Sequence, residues 1–259
     1  MNGTALVRTP GSRLAEGIVT HQKRVPVDVD LARAQHAAYA DALAACGWRI
    51  APVPPVEDCP DSVFVEDTVV VCEDLAVLAR PGAPARRAEV AGVAAMAGPL
   101  GLRTAAIAAP GTLDGGDVLQ GGHTVYVGRG GRTNAAGIRQ LRALLAPLGR
   151  TVIAVPLRNV LHLKSAVTAL PDGTIVGYEP VVDDPGIWGE RFLAVPEDCG
   201  SQVVLLDDDA VLMSSAAPQS AKLFERRGYR VVAVDISEFE KLEGCVTCLS
   251  VRLRCRPYR

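Results

Sequence analysis

The chain repeats itself. The segment VFVEDTVVVCEDLAVLARPGAPARRAEVAGV, beginning at Val63, and the segment TLDGGDVLQGGHTVYVGRGGRTNAAGIRQL, beginning at Thr112, follow one plan. Each runs from an acidic cluster through a short β-rich run, a turn and a second β-rich run to an arginine that opens a helical pattern. Asp67 and Asp117 hold the same place before the first run, and Arg86 and Arg132 hold similar places near the helix start. Repetition of this kind restricts the fold more than any other property of the sequence. A single such unit cannot bury its apolar face alone and must stack on its neighbours.

Fainter copies follow. LKSAVTALPDGTIVGYEP, from about residue 163, has strand, Pro-Asp-Gly turn and strand, and QVVLLDDDAVLMSSAAPQSAKLFERRGYRVVAVD, from about residue 202, has strand, acidic turn, strand, helix and strand. The last copy is CVTCLSVRLR, read as a strand and completed by ALVRTP near the N-terminus and the helix DVDLARAQHAAYADALAAC, which Gly47 closes. Joining first and last strands makes a ring of five strand-strand-helix-strand units, which removes free sheet edges and brings strand ends to the axis. Helices pack outside, through stripes formed by Leu31, Ala34, Ala38, Ala42 and Ala45 in one and Ile138, Leu141, Leu144 and Leu145 in another. The expected organisation is one α/β domain over residues 1–259.

Of the 259 residues, 49% are hydrophobic and 22% charged, an ordinary globular balance, and a formal charge of -2 gives no basic face for nucleic acid. No apolar run reaches the roughly 18 residues of a membrane span, and the first residues lack the pattern of a signal peptide. The seven cysteines (46, 59, 72, 199, 245, 248 and 255) follow no framework spacing, which fits reduced thiols in a cytoplasm.

Cys245 and Cys248 form a C-x-x-C, open to three readings: a redox pair, half of a metal site, or one reactive thiolate with a bystander. A structural zinc site wants a second such pair, and the four histidines (21, 36, 123 and 162) are scattered. A redox motif sits between a strand and a helix, and no helical pattern follows Cys248.

Other polar residues gather at the strand starts. Asp61, Glu66 and Asp67 precede one run, and Asp114 and Asp117 recur in the sister repeat. Converging carboxylates repel unless a cation lies among them. His162 stands in an aliphatic stretch, more often a core position. With a thiol and a carboxylate beside it, however, it completes an activated nucleophile. Arg86 and Arg132 offer two guanidinium forks for a carboxylate. Acids for a cation and arginines for an anion suit an amino-acid-like guest.

SVFVED, ARPGAPARR, LDGGDVL, RTNAAG, LHLKS and CVTCLSV, in that order, resemble the dimethylarginine dimethylaminohydrolases, members of the guanidino-group-modifying superfamily with the five-bladed α/β propeller (pentein) fold. The likeness runs from about residue 5 to 253. It implies that Cys248 is the nucleophile, His162 the general acid and base, and Asp114 the carboxylate that orients the imidazole. It implies that Glu66 and Asp67 surround the substrate guanidinium, that Asp61 is another binding residue and that Arg86 and Arg132 receive the substrate carboxylate. Ser165 falls at a binding position, and Leu242 and Glu243 match a stretch that offers carbonyls to the substrate amino group. Ile18, in a lid read from SRLAEGIVTH, supplies an apolar contact. Position 114 is Glu in some members, and Asp is common at position 243.

The resemblance further implies hydrolysis of methylated L-arginine to L-citrulline through a covalent thiouronium on sulfur, with no metal and no organic cofactor. The expected partner is a small molecule, with no nucleic acid or membrane, and the chain is a monomer or homodimer in the cytoplasm. Cys245 becomes the bystander, although a disulfide to Cys248 would switch the enzyme off. Arginine deiminase or amidinotransferase chemistry on the same scaffold is the alternative, and a non-catalytic binding module is the reading from another class.

Overall fold

The computed structural model describes residues 2–254, so Cys255 lies outside the described residues. The strands form five three-stranded sheets. The first joins Gly3–Val7 to Trp48–Pro52 and Val251–Arg254; the second holds Val69–Cys72, Leu75–Leu78 and Arg103–Ala106. The third holds Val118–Gly121, Thr124–Arg129 and Thr151–Pro156, and the fourth Val167–Ala169, Ile175–Gly177 and Phe192–Ala194. Val203–Leu205, Ala210–Ser214 and Arg230–Val234 make the fifth. In each sheet the central strand pairs antiparallel on one side and parallel on the other. The antiparallel pair needs only a turn, but the parallel pair needs a crossover. Helices Val29–Ala45, Val90–Ala97, Ala135–Leu145 and Pro218–Arg226 supply it in four of the five units.

The fourth sheet differs from the expected plan. Its crossover is three 3-10 turns, Glu179–Val181, Pro185–Ile187 and Gly189–Arg191. Pro180, Pro185, Gly186 and Gly189 interrupt that stretch, and proline removes the N–H a longer helix requires.

Ring closure is visible in the core. Five apolar clusters each lie between two successive sheets. Leu6 and Val251 of the first sheet meet Val69 and Ala76 of the second, and Val77 of the second meets Val125 and Val127 of the third. Val155 meets Val167 and Ile175, and Val176 meets Val203 and Val211. Leu212 of the fifth then meets Ala5, Tyr39 and Trp48 of the first unit. Burying one side chain of this size stabilises by about 1.5–3 kcal/mol, so each seam is a substantial bond between blades.

The helix Ala135–Leu145 buries Ile138, Leu141 and Leu145 as its pattern requires. The helix Val29–Ala45 does not follow its expected stripe. It buries Ala32, His36, Tyr39 and Leu43, while Leu31 is 43% exposed and Ala34, Ala38 and Ala45 face outward. Alanine gives little area to either face, so Tyr39 and Leu43, which bury far more, set the rotation. Asp28 starts this helix by accepting from the N–H groups of Asp30 and Leu31, and Gly47, at φ 83°, ends it.

The expected strand over CVTCLSVRLR is also shorter. Only Val251–Arg254 is strand. Residues 246–249 form a turn that brings the Cys248 N–H to the Cys245 carbonyl at 3.1 Å.

Candidate active site

The repeat delivers side chains to one place because each enters just ahead of a sheet's first strand. Asp61 and Asp67 lie in the 3-10 turns Pro60–Val63 and Val65–Thr68 before the second sheet. Asp114 opens the turn Gly115–Asp117 before the third, His162 precedes the short helix Leu163–Ala166 before the fourth, and Cys248 precedes the last strand. Ile18, Asp61, Asp67, Arg86, Arg132, His162, Leu242, Glu243 and Cys248 line one cavity. Asp114 is buried behind His162. Glu66 and Ser165 are not among the lining residues.

The two glycines of LDGGDVL allow this convergence. A Cβ on Gly115 would lie 2.1 Å from the carbonyl oxygen of Glu66, and one on Gly116 would lie 2.6 Å from Asp67 Oδ1 and 2.8 Å from His162 Nδ1. The sister turns press together at a distance only glycine permits.

His162 Nε2 lies 3.0 Å from Asp114 Oδ2. The Gly82 N–H donates to Asp114 Oδ1 at 2.8 Å, and Arg132 Nη1 lies 3.4 Å from Oδ2. Asp114 is thus held on both oxygens, and its imidazole partner turns Nδ1 towards Asp67 Oδ1, 3.7 Å away. Burial favours a neutral ring, but the charge of Asp67, the hydrogen bond to Asp114 and the nearby Asp117 raise the His162 pKa to about 9. The imidazole therefore holds its proton at neutral pH.

Asp67 accepts from Arg86 Nη1 at 2.6 Å and from the Gly116 N–H at 2.9 Å. Burial opposes its charge, but His162 and Arg86 hold the carboxyl well below the usual carboxylate range. Arg86 is itself fully engaged. Its Nε and Nη2 donate to Glu89, and Nη2 also approaches the carbonyls of Asp61 and Phe64. Glu89 is completely buried. Arg86 can reach a ligand carboxylate only by exchanging one of these partners, whereas Arg132 has a single 3.4 Å contact to Asp114. Burial pushes Asp61 up, against the pull of Arg86 and the Ile18 N–H.

Cys248 Sγ lies 3.2 Å from Cys245 Sγ, and Cys245 Sγ lies 3.2 Å from Thr247 Oγ1, which donates to Glu66 Oε2 at 3.1 Å. Hydrogen bonding to Cys245, burial and the charges of Glu66 and Asp67 all raise Cys248 well above an ordinary thiol. At rest it carries its proton. Glu66 is occupied by Lys164 Nζ at 2.7 Å and by Arg252 Nη2 at 3.6 Å, so the structure places it beneath the turn that carries Cys248 rather than along the cavity. Ser165 offers its carbonyl to Gln202.

Several residues that steady the site carried no sequence signal. Tyr39 donates to the Val246 carbonyl at 2.9 Å and meets Ser250 Oγ at 2.7 Å, clamping the Cys248 turn to the first helix. Arg252 donates to Ser250 Oγ at 2.8 Å. Arg8, wholly buried, binds the carbonyls of Pro54, Ser62 and Glu89. Glu89 had a findable signal, an acid one helical turn after Arg86. Asp67, Asp114 and His162 also bring possible metal ligands within 4.8 Å of one another, but these atoms are engaged by each other, Arg86 and Arg132.

A five-bladed α/β ring with a cysteine, an aspartate-held histidine and buried carboxylates at its axis defines the guanidino-group-modifying class of proteins. No family model matches the chain. It is 59% identical over 250 residues to the dimethylarginine dimethylaminohydrolase of Streptomyces coelicolor, with 96% of each chain covered. The structure matches that of the Pseudomonas aeruginosa enzyme, a cysteine-to-serine mutant complexed with citrulline, at TM-score 0.91 and 34% identity, covering 98% of this chain and 100% of that one. The N-terminal domain of a cyanobacterial arginine dihydrolase shares the fold at TM-score 0.86 and 18% identity, covering 97% and 98%. The chain belongs to the dimethylarginine dimethylaminohydrolase family.

Proposed function

We propose that this chain hydrolyses asymmetric dimethylarginine and monomethylarginine to L-citrulline, releasing dimethylamine or methylamine. The observation that carries the reading is the convergence of Cys248, the Asp114-bound His162 and the ionised Asp67 on one cavity in a member of this family. Its residues act as one catalytic domain, and six free cysteines among those described support a cytoplasmic setting. Among the described residues no helix is long and apolar enough to cross a membrane.

The substrate guanidinium stays protonated, with a pKa above about 12, and its delocalised charge makes the carbon a poor electrophile. Asp67 holds that cation and orients the amine to be expelled, and Arg132 takes the substrate carboxylate. The cation lowers the raised Cys248 thiol, which gives its proton to solvent, and the thiolate attacks the guanidinium carbon. His162, already protonated, donates to the departing amine and leaves a thiouronium on sulfur. The neutral imidazole then takes a proton from water, which attacks the same carbon, breaks the C–S bond and frees citrulline.

The sulfur contact supports a second property of this site, reversible oxidation. A peroxide oxidises Cys248 to the sulfenic acid with loss of water. Cys245 then attacks that sulfur, expelling a second water and closing a disulfide. After excess peroxide, thiol reduction should restore activity in the parent, whereas in Cys245→Ser the unprotected sulfenic acid goes on to the irreversible sulfinic acid and activity stays lost.

The decisive experiment incubates purified protein with asymmetric dimethylarginine, arginine and agmatine separately, with Cys248→Ala as control. Citrulline and dimethylamine, absent in the variant, are expected. Turnover of arginine alone would move the assignment to deimination.

A further inference from the structure

The segment over the cavity is fastened at two points. The Ile18 N–H donates to both oxygens of Asp61, at 3.0 and 3.2 Å. Further along, one oxygen of Glu243, Oε1, accepts from three consecutive backbone N–H groups, those of Thr20 at 2.8 Å, His21, and Gln22 at 3.0 Å. The Gln22 side chain adds a bond to the Glu240 carbonyl at 2.8 Å. Residues 20–24 are otherwise exposed.

We propose that the Glu243 side chain is the latch of this lid, a positioning residue that holds residues 20–22 over the cavity and so sets how long substrate stays enclosed. The resemblance gave this position only a backbone role. Three amides converging on one carboxylate oxygen form an anion-binding concavity, here filled from the opposite wall of the site. Glu243 lies between Leu242, which lines the cavity, and the turn that carries Cys248, so lid and nucleophile are tied through five residues of backbone.

Two features keep the latch releasable. The Glu243 backbone sits at φ 60°, in the left-handed region that non-glycine residues avoid. Its second oxygen, Oε2, is buried with no hydrogen-bond partner among the described residues, an unfavourable state for a carboxylate. Both lean against the latched arrangement, so opening relieves what closure strains. Lids that gate a site require such a balance.

The test compares Glu243→Gly, which suits the left-handed backbone but removes the latch, with Glu243→Gln, which keeps an acceptor oxygen at the same reach. Amide hydrogen exchange is followed at residues 18–22 in the full chain. The latch requires at least tenfold faster exchange at Thr20, His21 and Gln22 in the glycine variant, with Ile18 changed less and the glutamine variant intermediate. With methylated arginine as substrate, the glycine variant should raise KM several-fold more than it lowers kcat. Unchanged exchange at residues 20–22, or equal loss of protection in both variants, would overturn the proposal. The exchange arm does not depend on the substrate assignment, so failure of that assignment is read separately, from turnover in the parent protein.

Discussion

Asp67 and Asp117 stand at matching points of two sister turns, both wholly buried, and their surroundings give them opposite electrostatic fates. Asp67 meets Arg86, the Gly116 N–H and protonated His162, and it stays ionised. Asp117 accepts from the Leu163 N–H at 3.1 Å, but its Oδ2 has no partner among the described residues. Burial, with Asp114 nearby, pushes its pKa up to about 7 despite His162 and Thr133. The repeat fixes where a carboxylate stands, and the nearest cation decides whether it is a charge or a strut. Arg86 came down on the side of Asp67, while its counterpart Arg132 turns to Asp114 instead.

The contrast can be broken most directly at Asp67. Asp67→Asn should lower kcat/KM for dimethylarginine by about 10²–10³-fold, the scale for removing an electrostatic group aimed at the reacting centre. A loss below tenfold in steady-state kinetics would mean that the guanidinium is held elsewhere. Glu89→Gln should cost about 1–3 kcal/mol of stability, because it weakens a buried fork on Arg86. Denaturant unfolding reads this, and an unchanged midpoint would show that Asp67 alone fixes Arg86.

The pH profile sharpens the comparison further. With His162 at about 9, activity should fall as pH rises through that value and the imidazole loses the proton it donates. Removing the Asp67 charge should draw this alkaline limb to lower pH by more than Asp117→Asn does, measured on residual activity. A larger shift from Asp117→Asn would reverse the assigned roles.

The smallest effect is on stability. A carboxyl raised from 3.8 to about 7 on folding withdraws stability as pH climbs between those values and none beyond them. The three units set a ceiling of about 4 kcal/mol. Allowing for relaxation, Asp117→Asn should gain about 1 kcal/mol at pH 8 and keep activity within tenfold. Thermal unfolding at pH 4 and pH 8 tests it, the gain belonging to pH 8 only.

What could be read from the residues was whatever the repeat copies. Strand order, ring closure and the arrival of Asp67 and Asp114 at one axis follow from matching positions in successive units, whereas His162 stands outside the copied runs and is legible only through the family resemblance. The unreadable parts are those where units touch. Glu66 seemed poised beside Asp67, but Lys164 and Arg252, distant in sequence, claim it. The first helix buries Tyr39 and Leu43 rather than its expected stripe because alanines mark no face. CVTCLSVRLR alternates like a strand, yet its first half must turn to point a sulfur inward. In the Asp67–Arg86–Glu89 triad the i,i+3 spacing links Arg86 to Glu89, but the burial that brings Asp67 onto the same guanidinium is encoded by no spacing.

The first sheet also bears on when the enzyme comes into being. Gly3 pairs with Arg254 and Leu6 with Val251, so the strand that opens the chain waits for one that leaves the ribosome some 250 residues later. Cys248 lies just ahead of that closing strand. A nascent chain carrying the acids, the histidine and the arginines still lacks Cys248 and has an open ring. That sulfur and the last seam arrive almost together, so the complete site is withheld until the scaffold that shields it can close.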